Sequence, residues 1–274
     1  MTKKQSIIES AVELFSKQGI EATSIQQITA HSGISKGAFY LSFKSKEELI
    51  LAIIDYYMLH IATEVDRAVK ETVHTRQLFT VYFQRSFELL TAHQGIATIF
   101  LKEPLQYMSE AILQKMYLYD QLHEETIFSI VDRAYGKEQT ALYYDVPYLL
   151  KGLFHSYSLE LLTDANTLHV DVLSESLAEK MDILIRESKK PYRTKPKPLV
   201  DDVTVTQATL IAQIDEALVD EKNPLLAESL TILKAQLLAP TKSKAMMTGM
   251  LHNLETAPAY NALIYLTKHY IAAI

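Results

Sequence analysis

Three features of this 274-residue sequence predict an all-α fold. Glycine (7) and proline (8) are scarce, so few tight turns can be made and long helices are favoured over many short strands. Apolar residues recur at helical spacing, as at Ile7, Ile8, Ala11, Leu14 and Phe15. Hydrophobic residues make up 48% and charged ones 22%, the balance of a chain that buries a core. The expected organisation is a three-helix head with a helix-turn-helix at 1–46, a helical body at 47–188, a Lys/Pro-rich linker at 189–199 and an additional helical segment at 200–274.

Composition also removes function classes. With no cysteine there is no disulfide framework, no cysteine zinc site and no thiol nucleophile, which suits a reducing compartment. No run of about 18 apolar residues is present, and Glu9 and Glu13 interrupt the amino-terminal apolar stretch, so neither a membrane span nor a signal peptide is expected. The chain reads as cytoplasmic. Its net charge of −6 argues against a uniformly basic nucleic-acid coat, but the charge is uneven. Residues 1–46 hold six lysines against three glutamates, a net of +3, which leaves −9 for the rest. A cationic head on an acidic body suggests that only the head meets a polyanion.

The head resolves into three short helices. The first, through Gln5–Lys17, stops at Gly19. Thr23 and Ser24 are both able to cap the second; with Thr23 as cap, Gln26 takes capping-box spacing. Ile25 and Ile28 point inward, and Gly33 breaks the helix. Ser35 caps a third helix through Lys36, Gly37, Ala38, Phe39 and Tyr40. There Phe39 and Phe43 share a buried face, and Lys36, Tyr40 and Ser42 point outward. Two short helices joined by a glycine turn form a helix-turn-helix whose second helix is sized for the major groove. Gly37 and Ala38 let the backbone approach closely, Lys36 offers a cation to phosphate or a guanine edge, and Tyr40 offers a hydroxyl to phosphate. The helix starts at Thr23/Ser24 and Ser35 present free N–H groups to phosphate oxygens, and Lys44 and Lys46 add backbone contacts.

The run Ile8–Leu49 resembles the DNA-binding region of the TetR/AcrR family of bacterial transcriptional regulators. The likeness rests on Ala11-x-x-Leu14-Phe15-x-x-x-Gly19, on Thr23-Ser24-Ile25-x-x-Ile28, and on Ala30-x-x-Gly33-Ile34-Ser35-Lys36-Gly37-Ala38-Phe39-Tyr40. Phe43-Lys44-Ser45-Lys46-Glu47-Glu48-Leu49 closes it. One position departs. Ser42 stands where the family usually has His or Tyr touching the DNA backbone, so that contact is expected to be weaker. Leu41 is apolar in an outward position and suits a thymine methyl. The resemblance implies a dimer on a palindromic double-stranded operator, a small-molecule inducer and a helical sensor body.

In the body, Leu49, Ala52, Ile53, Tyr56 and Tyr57 continue at helical spacing, so one helix is expected to join reader and sensor. The family likeness implies a pocket within 80–160, for which the candidates are Phe83, Phe87, Phe100, Tyr107, Tyr117, Phe128, Phe154 and Tyr157. Each alone reads as core. His93, His123 and His155 fit no metal spacing and read as ordinary core or surface histidines; no metal and no cofactor is expected. Asp145–Thr163 and His169–Ile185 are helix-length stretches with apolar faces, and pairing them with a second copy would make a four-helix dimer interface.

Prolines 191, 196 and 198 among five cations predict an exposed linker. Beyond it Val205–Leu218, Pro224–Leu238 and Ala257–Ile274 look helical, with Thr204, Asn223 and Thr256 as caps. No Gly-rich phosphate loop, HExxH or Gly-x-Ser-x-Gly elbow is present, so no catalytic residue is assigned. The expected function is a ligand-responsive repressor released by a hydrophobic or aromatic inducer, with an efflux gene as a possible target. The alternative is a helical ligand-binding or scaffold protein that does not bind an operator. The carboxy-terminal helices are expected to fold back on the body or on a partner subunit. Deleting residues 199–274 should then lower the melting temperature or change the ligand response; unchanged melting and induction would reject the fold-back.

Overall fold

The computed structural model describes residues 3–102, 109–136, 140–163, 169–195, 205–257 and 260–273. They form α1 (Lys3–Gln18), α2 (Ile25–His31), α3 (Lys36–Ser42), α4 (Lys46–Glu71), α5 (Leu78–Ala92), α6 (Gln94–Lys102), α7 (Glu110–Ala134), α8 (Val146–Thr163), α9 (Val170–Glu187), α10 (Gln207–Asp220), α11 (Pro224–Leu238), α12 (Lys244–Leu254) and α13 (Asn261–Ala273). A short 3₁₀ turn, Thr75–Gln77, precedes α5. The chain divides into two compact units, residues 1–200 and 201–274.

In the first unit, α1, α2, α3 and the start of α4 close on a small core of Ile7, Ala11, Phe15, Ile28, Phe39, Phe43 and Leu49, all almost fully buried. Helices this short are marginal alone, so caps and packing must hold them. Ser24 caps α2. Its hydroxyl accepts from Gln27 N at 3.2 Å while Gln27 Oε1 accepts from Ser24 N at 2.8 Å, a complete capping box. Thr23, the other candidate, is buried instead and donates to the Gly19 carbonyl at 2.8 Å. At the far end of α2, Gly33 takes φ +68°, Ile34 N donates to Thr29 O and Gly33 N to Ala30 O. These two bonds make a Schellman motif, which aims α3 away from α2.

Helix α4 runs for 26 residues without a break. Ser45 caps its start by accepting from Glu48 N. At its end Arg133 of α7 donates to the carbonyls of Val69 and Thr72. Glu64 of α4 pairs with Arg67 beside it and with Arg85 of α5. Behind α4 lies the body's core: Val65 and Val69, then Leu78, Phe79, Tyr82, Phe83 and Phe87 of α5, Ile127, Ile130 and Val131 of α7, Val146 and Leu150 of α8, and Leu173, Leu177, Met181 and Ile185 of α9. At about 25 cal/mol per Å² of apolar surface removed from water, burying these side chains is the main source of the body's stability.

Helix α6 packs on α1. A Cβ built on Gly95 would stand 3.0 Å from Val12 Cγ1, a tight contact that the absence of a side chain on Gly95 avoids.

The predicted linker begins differently from expectation. Its first residues are held against the body: Tyr192 N and Arg193 N donate to the Asp145 carboxylate at 2.7 and 3.0 Å, and the Arg193 guanidinium lies 4.5 Å from the Tyr148 ring centre.

The second unit is a four-helix cluster closed by Leu210, Ile214, Leu230, Leu233, Leu237, Met247, Leu251, Leu254, Leu263 and Leu266. Asn223 caps α11 with Pro224 in its first turn, as the sequence predicts. The cap of α10 is Thr206, while Thr204 lies outside the described residues. Helix α12, with Gly249 inside it, was not anticipated; Ser243 caps it. Thr256 caps nothing. Its hydroxyl donates to Asn253 O at the end of α12, and α13 starts later, at Asn261.

The Gly33→Ala variant should lose about 1 kcal/mol in urea denaturation, because a left-handed φ costs an L-residue about that much. A variant as stable as the parent would show that the turn relaxes freely.

Candidate functional site

Two places carry chemistry. The first is the outer face of the head. Ser24 and Ser35 stand at the starts of α2 and α3, both exposed, and Ser35 Oγ accepts from Ala38 N at 3.1 Å. Along α3, Lys36, Gly37, Tyr40 and Leu41 are exposed, and Ala38 and Ser42 are half-buried. Phe39 alone of this helix is buried, its ring 5.9 Å from that of Phe43. One aromatic thus anchors the helix and the rest of it faces outward. Leu41 is 90% exposed, against the expense of hydrating an apolar side chain. The Lys36 ammonium lies 6.0 Å from the Tyr40 ring centre, so the cation and the hydroxyl share one face. Lys44 is exposed, and Lys46 is half-buried with its ammonium 5.9 Å from the Phe15 ring centre. The structure therefore brings Ser24, Ser35, Lys36, Gly37, Tyr40, Leu41 and Lys44 to the surface of the head and turns Thr23 inward.

The second place is a cavity of about 420 Å³ in the body, walled by α4, α5, α6, α7 and α8. Met58, Ile61 and Ala62 of α4, Leu90 of α5, Ile96, Ala97 and Phe100 of α6, Leu113, Met116 and Tyr117 of α7 and Phe154 of α8 give it an apolar wall. Of the aromatics singled out from the sequence, Phe100, Tyr117 and Phe154 line it. Phe83 and Phe87 do not: both are fully buried in the core, and the Phe87 ring supports Phe154 from behind at 5.0 Å. Phe128 stacks on Tyr143 instead, and Tyr157 packs against the core. Tyr107 lies outside the described residues.

The cavity also has a polar corner that the sequence did not reveal: Ser86, Asp120, His123 and Lys151. Lys151 Nζ lies 2.8 Å from Asp120 Oδ1 and 2.6 Å from Glu124 Oε1. Burial works to lower its pKa, but the two carboxylates outweigh that and hold the ammonium above its ordinary value. Tyr82 is fully buried and hydrogen-bonded to His123 Nε2. Burial, and then the Asp120 charge, push the Tyr82 phenol well up, so it keeps its proton. Burial, followed by the Lys151 charge, lowers His123 to about 4, so the ring is neutral near pH 7. No helical spacing marks this corner, since its four residues come from three helices. Among the described residues no group of three or more metal-ligating side chains is present.

The cavity reaches the head through rings and helices. His93, at the end of α5, lines the cavity and sits 5.2 Å from the Tyr57 ring and 5.6 Å from the His60 ring of α4. Next along α4, Tyr56 Oη accepts from Gln5 Nε2 of α1 at 3.2 Å.

Comparison with known proteins agrees with this arrangement. Residues 7–53 match the model for bacterial regulatory proteins of the tetR family. The chain is 27% identical over 289 aligned positions to the uncharacterized HTH-type transcriptional regulator YuxN of Bacillus subtilis, covering 94% of this chain and 93% of that one. It is 26% identical to the regulator YerO of the same organism, covering 92% and 89%. Alignments of that extent run into the carboxy-terminal unit. Among solved structures, the regulator FadR from Bacillus subtilis in complex with stearoyl-CoA superposes with a TM-score of 0.57 at 18% identity, covering 68% of this chain and 98% of that one. At that identity the likeness speaks for the fold. Among the described residues no helix is long and apolar enough to cross a membrane.

Burial of neutral His123 has a pH signature. Its folded pKa of about 4 lies below the unfolded value near 6.5, so between those values the unfolded chain binds a proton that the folded chain does not. Stability should fall as pH drops from about 6.5 to about 4. The His123→Gln variant, which still offers Tyr82 an acceptor, should show a shallower fall in melting temperature over that window. An equally steep one would mean that other groups set the acid limit.

Proposed function

Because the chain belongs to the TetR family of bacterial transcriptional regulators, and is a regulator rather than an enzyme, we propose that it is a cytoplasmic, dimeric repressor released from a palindromic operator by an apolar small molecule. The observation that carries this reading is that one helix, α4, is both a wall of the cavity and a support of the head. A ligand that widens the cavity by moving α4 also shifts α1, which packs on α4 and carries α2 and α3.

On this reading residues 1–46 are the reader, 47–188 the sensor and dimerisation domain, 189–199 the linker and 200–274 an extension. Lys36, Tyr40 and Leu41 enter the major groove, with Gly37 and Ala38 allowing close approach. Ser24, Ser35, Ser42, Lys44 and Lys46 hold the phosphate backbone. Thr23 drops out of the contact set, since its hydroxyl is engaged within the turn. Dimerisation through α8 and α9 is supported by Leu159, Val172, Ile183 and Leu184, apolar side chains left exposed on those helices. The inducer occupies the cavity. FadR, of similar fold, holds an acyl chain compound, which favours a chain-like inducer over the aromatic one and genes that handle or export such compounds.

A gel shift against the protein's own upstream region tests this. Sequence-selective, salt-sensitive binding is expected, and Lys36→Ala and Tyr40→Ala should each weaken it by about 1–3 kcal/mol. Binding that ignores both substitutions, or no selective binding at any enriched site, would favour a helical scaffold that no longer reads DNA.

A further inference from the structure

The cavity's polar corner is unequal in its hydrogen bonding. Hydroxyls elsewhere in the body turn back to the carbonyl four residues earlier, as Thr63 does to Leu59, Thr91 to Phe87 and Ser158 to Phe154. Ser86 does not. It is 3% exposed, lines the cavity, and its Oγ has no hydrogen-bond partner. A buried polar atom without a partner is costly, and in a cavity wall it marks where a guest's polar atom belongs. Ser86 lies one helical turn beyond Tyr82, on the same face of α5, and Tyr82 is bonded to His123. Where Nε2 accepts from the Tyr82 hydroxyl, the neutral imidazole carries its proton on Nδ1. Ser86 and His123 both line this cavity. The third polar group there, Lys151, is already engaged by Asp120 and Glu124, so an incoming carboxylate would meet two charges of its own sign.

We propose that Ser86 and His123 read an uncharged carbonyl oxygen, so that the ligand is an ester, thioester or amide of an apolar acid and not the free acid. This rests on the reading of the cavity as the inducer site and adds the chemistry of the inducer's polar end. The Ser86 O–H and the His123 Nδ1–H donate to the carbonyl oxygen, and the chain lies along Met58, Ile61, Leu90 and Phe100.

Isothermal titration of the full-length protein with methyl decanoate and with decanoate separates the alternatives. The ester should bind at least about tenfold more tightly than the acid, and Ser86→Ala should weaken the ester about five- to tenfold while leaving the ligand-free melting temperature unchanged or raised. Equal or tighter binding of decanoate, or an ester affinity indifferent to Ser86→Ala, overturns the carbonyl assignment and leaves the cavity reading standing. A lower melting temperature in ligand-free Ser86→Ala also overturns it, because the hydroxyl would then serve the fold. Binding of neither compound overturns both readings.

Discussion

The uninterrupted hydrogen-bond ladder of α4 is the constraint on which the rest of the molecule depends. Over 26 residues it has no glycine or proline at which to bend, and both ends are fixed, by Ser45 at the start and by Arg133 on its last carbonyls. A helix held in this way moves as a rod. Its first turns bury Leu49, Ile50 and Ile53 in or near the head; its middle presents Met58, Ile61 and Ala62 to the cavity; its last turns bury Val65 and Val69 in the body's core. Head and cavity therefore share one backbone.

The head and the cavity solve opposite physical problems. The head must stay exposed, so its stability comes from a few fully buried side chains and from caps that satisfy the ends of very short helices. The cavity is lined by side chains that a second layer holds in place: Phe87 behind Phe154, Tyr82 behind His123, Glu124 behind Lys151. That supporting layer is where the body's buried charge and aromatic density reside. It explains why an apolar interior tolerates an ammonium between two carboxylates, since each is hydrogen-bonded as well as paired.

Much of the head was legible in the sequence because its signals are local. Glycine at a left-handed φ, serine before a helix and phenylalanines four apart act within a few residues, and Gly33, Ser35, Phe39 and Phe43 behave as read. Thr23 and Ser24 show the limit of that reading: both are competent caps, and the choice fell to Ser24 because Gln27, not Gln26, returns the second bond. The cavity was legible only in outline. An aromatic in a helix faces the core or a void according to what packs opposite, which no spacing records; hence Phe83 and Phe87 are core while Phe100 and Phe154 are wall. Ser86, His123 and Lys151 were silent for the same reason, since they meet across three helices.

The close approach of Gly95 to Val12 has a mechanical corollary. Where a longer side chain separates two helices, rotamer changes absorb small displacements and motion on one side is lost before it reaches the other. A glycine facing a stiff β-branched side chain leaves less such slack. The junction of α6 with α1 thus sets the cavity's edge close against the amino-terminal helix.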